Sequence, residues 1–171
     1  MKTLKQLLDT LPQQGEVSWI GVRPQRKAAM ISLREVFASS ETGLDGDRYQ
    51  GQTGKRHVTL LQEEHLAVIM SCSESKLVKP EDLRRNIVVC GINLLALKNR
   101  VIEIGSAQLE VTGLCHPCSR METNLGAGGY NAMRGHGGIT ARILSDGTIK
   151  VGDLVRTVPP DENTEIVLPL P

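Results

Sequence analysis

The run Ala107-Gln108-Leu109-Glu110-Val111-Thr112 alternates apolar and polar residues and stops at Gly113. Period-two alternation places every second side chain on one face, the pattern of a half-buried strand. Short stretches of the same kind recur at Glu16–Val22, Met30–Ala38, Val58–Leu61, Val101–Ile104, Ile139–Leu144 and Thr148–Val158, and Ile87-Val88-Val89 is apolar throughout. Ser145-Asp146-Gly147 reads as a hairpin turn between the last two of the alternating stretches. Helical spacing is confined to brief segments. These are Leu4, Leu7, Leu8 and Leu11 closed by Pro12, then Gln62–Met70, and short pieces after the second cysteine pair. Strand and helix do not alternate regularly, so a parallel doubly wound sheet is not expected. The pattern predicts a mainly β fold: a closed or partly closed β-barrel with a few short helices at its mouth.

Composition narrows what such a barrel can do. The formal net charge is +1, which gives no bulk attraction for nucleic acid or a membrane surface. Trp19, Phe37, Tyr49 and Tyr130 are the complete aromatic set, too few for a base-stacking platform. Valine, isoleucine and leucine must fill the core. No run approaches the roughly 20 apolar residues of a membrane span. The start, Met1 to Gln14, lacks the continuous apolar stretch of a secretory signal, so a cytoplasmic location is expected. Four cysteines in that setting point to reactive or metal-binding thiols rather than disulfides. Cys72 is expected to be inert at a helix end and Cys90 to be buried. The expected layout is an N-terminal helix over residues 1–14 packed on the body, a barrel over 15–158 and a tail over 159–171.

Directly beyond Gly113 come Cys115-His116-Pro117-Cys118-Ser119-Arg120. A rigid strand ending in a polar loop is the usual way to present a reactive group. A thiol acts as nucleophile or metal ligand only as thiolate, which nearby positive charge favours. Basic residues cluster in three other places. Arg48, Lys55 and Arg56 lie in the long polar loop from Thr42 to His57. Arginine forks onto phosphate oxygens, so this loop fits an anion site; its Asp45-Gly46-Asp47 start lacks the ligand pattern of a calcium loop. Arg84-Arg85-Asn86 abut an apolar strand and need partners, either Glu81 and Asp82 or a bound anion. Arg23-Pro24-Gln25-Arg26-Lys27 reads as a solvated turn. His65 reads as a helix-surface residue. The glycines of Arg134-Gly135-His136-Gly137-Gly138 would let backbone approach a ligand closely.

Four segments taken together resemble the MOSC domain, the module at the C-terminal end of molybdenum-cofactor sulfurases. They are Gly43-Leu44-Asp45-Gly46-Asp47-Arg48, Asp82-Leu83-Arg84-Arg85-Asn86-Ile87, Cys115-His116-Pro117-Cys118 and Gly147-Thr148-Ile149-Lys150-Val151-Gly152-Asp153. Each is weak alone; their order and spacing carry the resemblance, over about residues 15–158. It implies a MOSC-type β-barrel and an essential cysteine, which falls on Cys118 as catalytic residue and molybdenum ligand. It implies the molybdenum cofactor, molybdopterin, with Arg48, Lys55, Arg56, Arg84 and Arg85 neutralising its phosphate and metal centre. Asn86 would hydrogen-bond the pterin, and His136, Gly137 and Gly138 would bring backbone to it. The chain is most similar to small free-standing bacterial members, some of which reduce N-hydroxylated compounds. Pyridoxal phosphate is not expected without the desulfurase half. The implied partners are a small N-hydroxylated substrate and an electron-donor reductase, or a cysteine desulfurase, with no nucleic acid and no membrane.

Other chemistries stand beside this one. Cys118 could carry a persulfide as a sulfur carrier, or the chain could be a non-catalytic cofactor-binding module. Cys115 and Cys118 with His116 or His136 could hold zinc, although one pair alone does not complete four ligands. Cys-His-Pro-Cys also has the local form of a thioredoxin-like dithiol, but without the strand–helix context that motif uses.

Overall fold

A computed structural model of the chain describes residues 1–49, 51 and 53–159. In chain order its elements are α1 (Leu4–Leu8), β1 (Gly15–Val22), β2 (Ile31–Leu33), β3 (Glu35–Ser39), β4 (Gly43–Leu44), β5 (Val58–Gln62), α2 (Glu64–Cys72), α3 (Pro80–Leu83), β6 (Ile87–Cys90), a 3₁₀ turn (Leu94–Leu97), β7 (Val101–Ile104), β8 (Ala107–Leu114), α4 (Arg120–Leu125), α5 (Gly129–Ala132), β9 (Ile139–Ser145), β10 (Gly147–Lys150) and β11 (Leu154–Thr157). Seven strands close a barrel in the order β1–β6–β5–β9–β8–β7–β11, and β11 returns to β1 through Gly15↔Val155. Of these pairings only β5 with β6 is parallel; α2 and α3 lie in the connection between them, as a parallel pair requires. β2 extends the sheet beside the far end of β1, and β10, β3 and β4 form a small second sheet.

Two apolar clusters explain the patterning. Alternate residues such as Val58, Leu60, Ile87, Val89, Leu109 and Val111 fill the barrel interior. Leu61 and Val88 point the other way, onto Ile69, Leu83, Met121, Leu125 and Met133 of the helices and the turn after α5. The uninterrupted apolar run of β6 follows from this: it is buried on both faces. Each fully buried leucine or isoleucine there contributes about 1.5–3 kcal/mol relative to exposure. Among the described residues no helix is long and apolar enough to cross a membrane.

The structure departs from the sequence expectations in four places. Met30–Ala38 is not one strand. Arg34 interrupts it, so that β2 stays with the barrel while β3 leaves for the second sheet. Ser145-Asp146-Gly147 does not fold β9 back on its successor; β10 pairs with β3, and the Asp146 carboxylate accepts from the Ser40 N–H and hydroxyl. The N-terminal helix is capped by Thr3 and Gln6 but buries none of its residues, and Leu4, Leu7 and Leu8 stay exposed. Arg100 holds it by the Leu8 carbonyl and the Asp9 carboxylate instead. Cys90 is half-buried rather than enclosed. The expected tail from residue 160 lies outside the described residues.

Gly138 shows how tightly the barrel rim is drawn. It has φ +83°, and a Cβ there would overlap the Leu60 carbonyl of β5. Gly135 has φ +80° with open space around it. We therefore expect Gly138→Ala to cost about 3–5 kcal/mol, strain plus overpacking, and Gly135→Ala only about 1–2 kcal/mol, the price of the backbone alone. Urea denaturation of the two variants measures the difference.

Candidate functional site

At one end of the barrel four connections converge on a cavity of about 1170 Å³. The β1–β2 loop contributes Arg23, Arg26 and Lys27 with Pro24 and Gln25. The β4–β5 loop contributes Asp47, Arg48, Tyr49, Arg56 and His57, and the α3–β6 junction Arg84, Arg85 and Asn86. The β8–α4 connection contributes Cys115, His116, Cys118 and Arg120. Among the described residues eight basic side chains thus face a single carboxylate, that of Asp47.

The strand that presents the cysteines is re-aimed just before them. Between Val111 and Gly113 the register of β8 against β9 shifts by a bulge, a device that redirects side chains beside sites. Thr112 sits in that bulge, its hydroxyl 2.5 Å from the Lys55 carbonyl and 2.9 Å from the Thr140 hydroxyl. The Cys115 N–H then donates to the Gly138 carbonyl at 2.8 Å, and its side chain is buried at 3 % exposure. Arg56 Nη2 lies 3.7 Å from Cys115 Sγ. His116 and Pro117 carry the chain outward, so Cys118 is exposed and its carbonyl accepts from the Met121 N–H in the first turn of α4.

Asn86 has every hydrogen-bonding group engaged. Its Oδ1 accepts from the Thr59 N–H at 3.1 Å and hydroxyl at 2.8 Å, and its Nδ2 donates to the Gly21 carbonyl and to Asp47 Oδ1, both at 3.3 Å. The side-chain amide offers two donors and one two-lone-pair acceptor, so nothing is left for a ligand. The expected contact from Asn86 to a pterin is therefore corrected: Asn86 ties β1, β5 and the Asp47 loop together. Arg85, 6 % exposed, donates to three backbone carbonyls, those of Gly137, Leu83 and Cys115. The considered ion pairs of Arg84 and Arg85 with Glu81 or Asp82 are not found among the described residues. Asp82 instead accepts from the Lys79 N–H.

The remaining cations crowd one another. Arg84 sits in the left-handed region at φ 57° and reaches the Ala28 carbonyl. Arg23 Nε is buried with no hydrogen-bond partner. Burial lowers the pKa of Arg23, with Asp47 and Cys118 opposing and Arg48 and Arg120 adding. Burial also lowers that of Arg84, followed by Arg23 and Arg120, with Cys118 opposing and Arg48 adding. A guanidinium keeps its proton in proteins, so these shifts report burial first and the neighbouring cations second.

Of the residues singled out in the sequence, the cavity brings together Cys118, Arg48, Arg56, Arg84, Arg85 and Asn86. It does not include Lys55, His136, Gly137 or Gly138. Lys55 is exposed and is placed through its carbonyl. A Cβ on Gly137 would overlap the Cys115 carbonyl, so the close approach these glycines allow is to the protein's own strands. His136 packs edge-on against His65, ring centroids 4.9 Å apart. Sequence reasoning missed Arg23, Arg26 and Lys27, taken as solvated, and the carboxylate of Asp47. The signal available was three cations in five residues at the end of a strand. Among the described residues no three His, Cys, Asp or Glu side chains converge to hold a metal.

Residues 39–156 match the MOSC domain. The chain therefore belongs to the MOSC family, which is associated with molybdenum-cofactor binding. β1 completes the barrel from outside that match. The fold is similar to that of the YuaD protein from Bacillus subtilis (TM-score 0.71, 17 % identity, covering 83 % of this chain and 94 % of that one). It is also similar to YiiM from Geobacillus stearothermophilus (0.68, 15 %, 84 % and 75 %) and YiiM from Escherichia coli (0.64, 16 %, 84 % and 69 %). No curated protein matches the sequence.

Two outcomes follow. Asn86→Ala should cost about 2–4 kcal/mol, since it leaves several buried polar groups unpaired; a thermal melt reads this directly. Stability should also fall in acid. Burial, then Arg142, holds His57 below the ordinary 6.5, and burial, then His136, does so for His65 against Glu64. A base with a depressed folded pKa binds fewer protons folded than unfolded, so its contribution is complete above 6.5 and is lost as pH drops below it. His57 Nδ1 accepts from the Ile143 N–H, a bond protonation removes. Denaturation at about pH 7.5 and about pH 5 should show the loss, and His57→Gln should flatten it.

Proposed function

We propose that this protein binds the molybdenum cofactor with Cys118 as the protein ligand of the metal and reduces N-hydroxylated small molecules. The observation that carries the reading is an exposed thiol in a cavity where eight basic side chains face one carboxylate. A pterin phosphate and an anionic, sulfur-rich metal centre need such surroundings, and the buried Nε of partly exposed Arg23 is a donor with no partner among the described residues. A soft thiolate suits molybdenum as an additional ligand. The residues therefore fit the group. When bound, the cofactor would supply two-electron oxygen transfer, so that an N-hydroxyl compound, two electrons and two protons give the amine and water.

The chain's own residues position and stabilise. Cys118 offers its sulfur from a backbone fixed by the Met121 N–H. Arg23, Arg84, Arg48 and Arg120 line the same cavity as that sulfur, and a preorganised cationic wall stabilises negative charge without reorganising. Arg56 would bind phosphate from the Cys115 side. Arg85 and Asn86 hold the walls through their bonds to the protein's own groups. The electrons would come from a separate reductase. The sulfur-carrier alternative uses the same thiol and differs in what Cys118 bears.

Protein made in a cofactor-competent host is expected to contain molybdenum by elemental analysis and to reduce an amidoxime or N-hydroxylated purine with an artificial reductant. Cys118→Ala should lower the rate at least about 100-fold, the upper range for outer-shell partners of a metal ligand. Its stability should change by less than about 0.5 kcal/mol, as for an exposed site. Full turnover by loaded Cys118→Ala overturns the reading. One added sulfur on Cys118 after incubation with a cysteine desulfurase, without molybdenum, replaces it with the carrier role.

A further inference from the structure

The cavity holds more positive charge than one cofactor neutralises. Eight cations less the single carboxylate leave a surplus of seven. A phosphate monoester carries about −1.5 to −2 at neutral pH, and the anionic metal centre adds to that without exhausting the surplus. The excess is not spread evenly. Arg48, Arg56, Arg84, Arg85 and Arg120 come from the other three connections, while Arg23, Arg26 and Lys27 all come from the β1–β2 loop. Arg26 and Lys27 are exposed there.

That loop is not a loose solvated turn. Its first residue is fixed twice: the Arg23 N–H donates to Asp47 Oδ1 and the Arg23 carbonyl accepts from the Arg48 N–H, both at 2.8 Å. Its far end is fixed where the Ala28 carbonyl accepts from Arg84 Nη1. Between them the Ala28 N–H closes a turn on the Gln25 carbonyl, and Lys27 is held at φ 69°, a conformation a side chain of its shape adopts only when the surroundings impose it. The groups that anchor the loop are themselves cavity residues. All five residues from Arg23 to Lys27 line the space.

We infer that the β1–β2 loop forms a second anion subsite, built from Arg26 and Lys27 beside Arg23, that binds a phosphate ester group. The word second rests on the cofactor reading above; the subsite itself does not. Clustered positive charge over a low-dielectric wall raises the local concentration of anions and weakens with salt. The phosphate has two chemical sources. It belongs either to a phosphorylated substrate, such as an N-hydroxylated nucleotide rather than the free base, or to a nucleotide extension of the cofactor.

The test begins with metal-free protein and inorganic phosphate, titrated calorimetrically at low salt. Two phosphates per chain are expected. In Arg26→Gln/Lys27→Gln one of them should weaken at least about tenfold, the worth of one charge-assisted hydrogen bond, while Arg48→Gln/Arg56→Gln weakens the other. A single phosphate site, or a loop variant that titrates like the parent, overturns the inference. The four substituted side chains are exposed, and a thermal melt checks that each variant is folded. The source is read on cofactor-loaded protein with adenosine 5′-monophosphate as probe and adenosine as control. Binding that needs the phosphate and the loop cations assigns the subsite to substrate. Binding blocked by a cofactor that proves on extraction to carry a nucleotide assigns it to the cofactor. Protein that takes up no molybdenum defeats the cofactor reading, and the two-phosphate titration still decides the subsite.

Discussion

The cavity depends on an amide with no capacity to spare. Asn86 joins the first strand at Gly21, the fifth at Thr59 and the β4–β5 loop at Asp47. These three segments are far apart in sequence, and each carries cavity residues nearby. Without this knot the β1–β2 loop, the β4–β5 loop and the Arg84–Arg85 pair would have no fixed relation. A buried side chain whose four bonds are all made to its own protein specifies one arrangement, because any other leaves polar groups unpaired.

The second requirement is to gather positive charge without cancelling it. Burying a cation is costly unless its donors are met. Arg85 meets the cost with three backbone carbonyls rather than a carboxylate, so its charge is not cancelled and stays available to the cavity. The one lining carboxylate, Asp47, is occupied by the N–H groups of Arg23 and Tyr49 and by Asn86. Its charge goes into organising loops. The lining that remains is dominated by cations, and the exposed sulfur of Cys118 is part of it.

Much of this was legible in the sequence because strands write their burial every second residue. The alternation in β8 placed the cysteines just past a strand, although β8 runs through Gly113 to Leu114, and the polar loop before β5 and the arginines before β6 did meet them. What was not legible was the use made of each group. Asn86 and Arg85 were read as ligand contacts, yet their partners are carbonyls and hydroxyls that no residue pattern announces. Gly137 and Gly138 were read as making room for a ligand, and they make room for Cys115 and Leu60. Arg23 to Lys27 were read as solvated, because a charged run looks the same whether or not the other side of a cavity stands opposite it. The hairpin at Gly147 failed for a related reason: the turn residues are present, but β3 offers β10 a better partner than β9 does.

β6 is apolar on both faces because the barrel interior and the helix layer share it. The two arginines and the amide just before it are therefore anchored to the most deeply buried part of the molecule. Variation at those positions would be paid in folding, not only in binding. Arg26 and Lys27 of the β1–β2 loop are exposed. In a lineage of such proteins, divergence in what is bound is free to accumulate there, while the residues ahead of β6 stay under the constraint of holding the fold together.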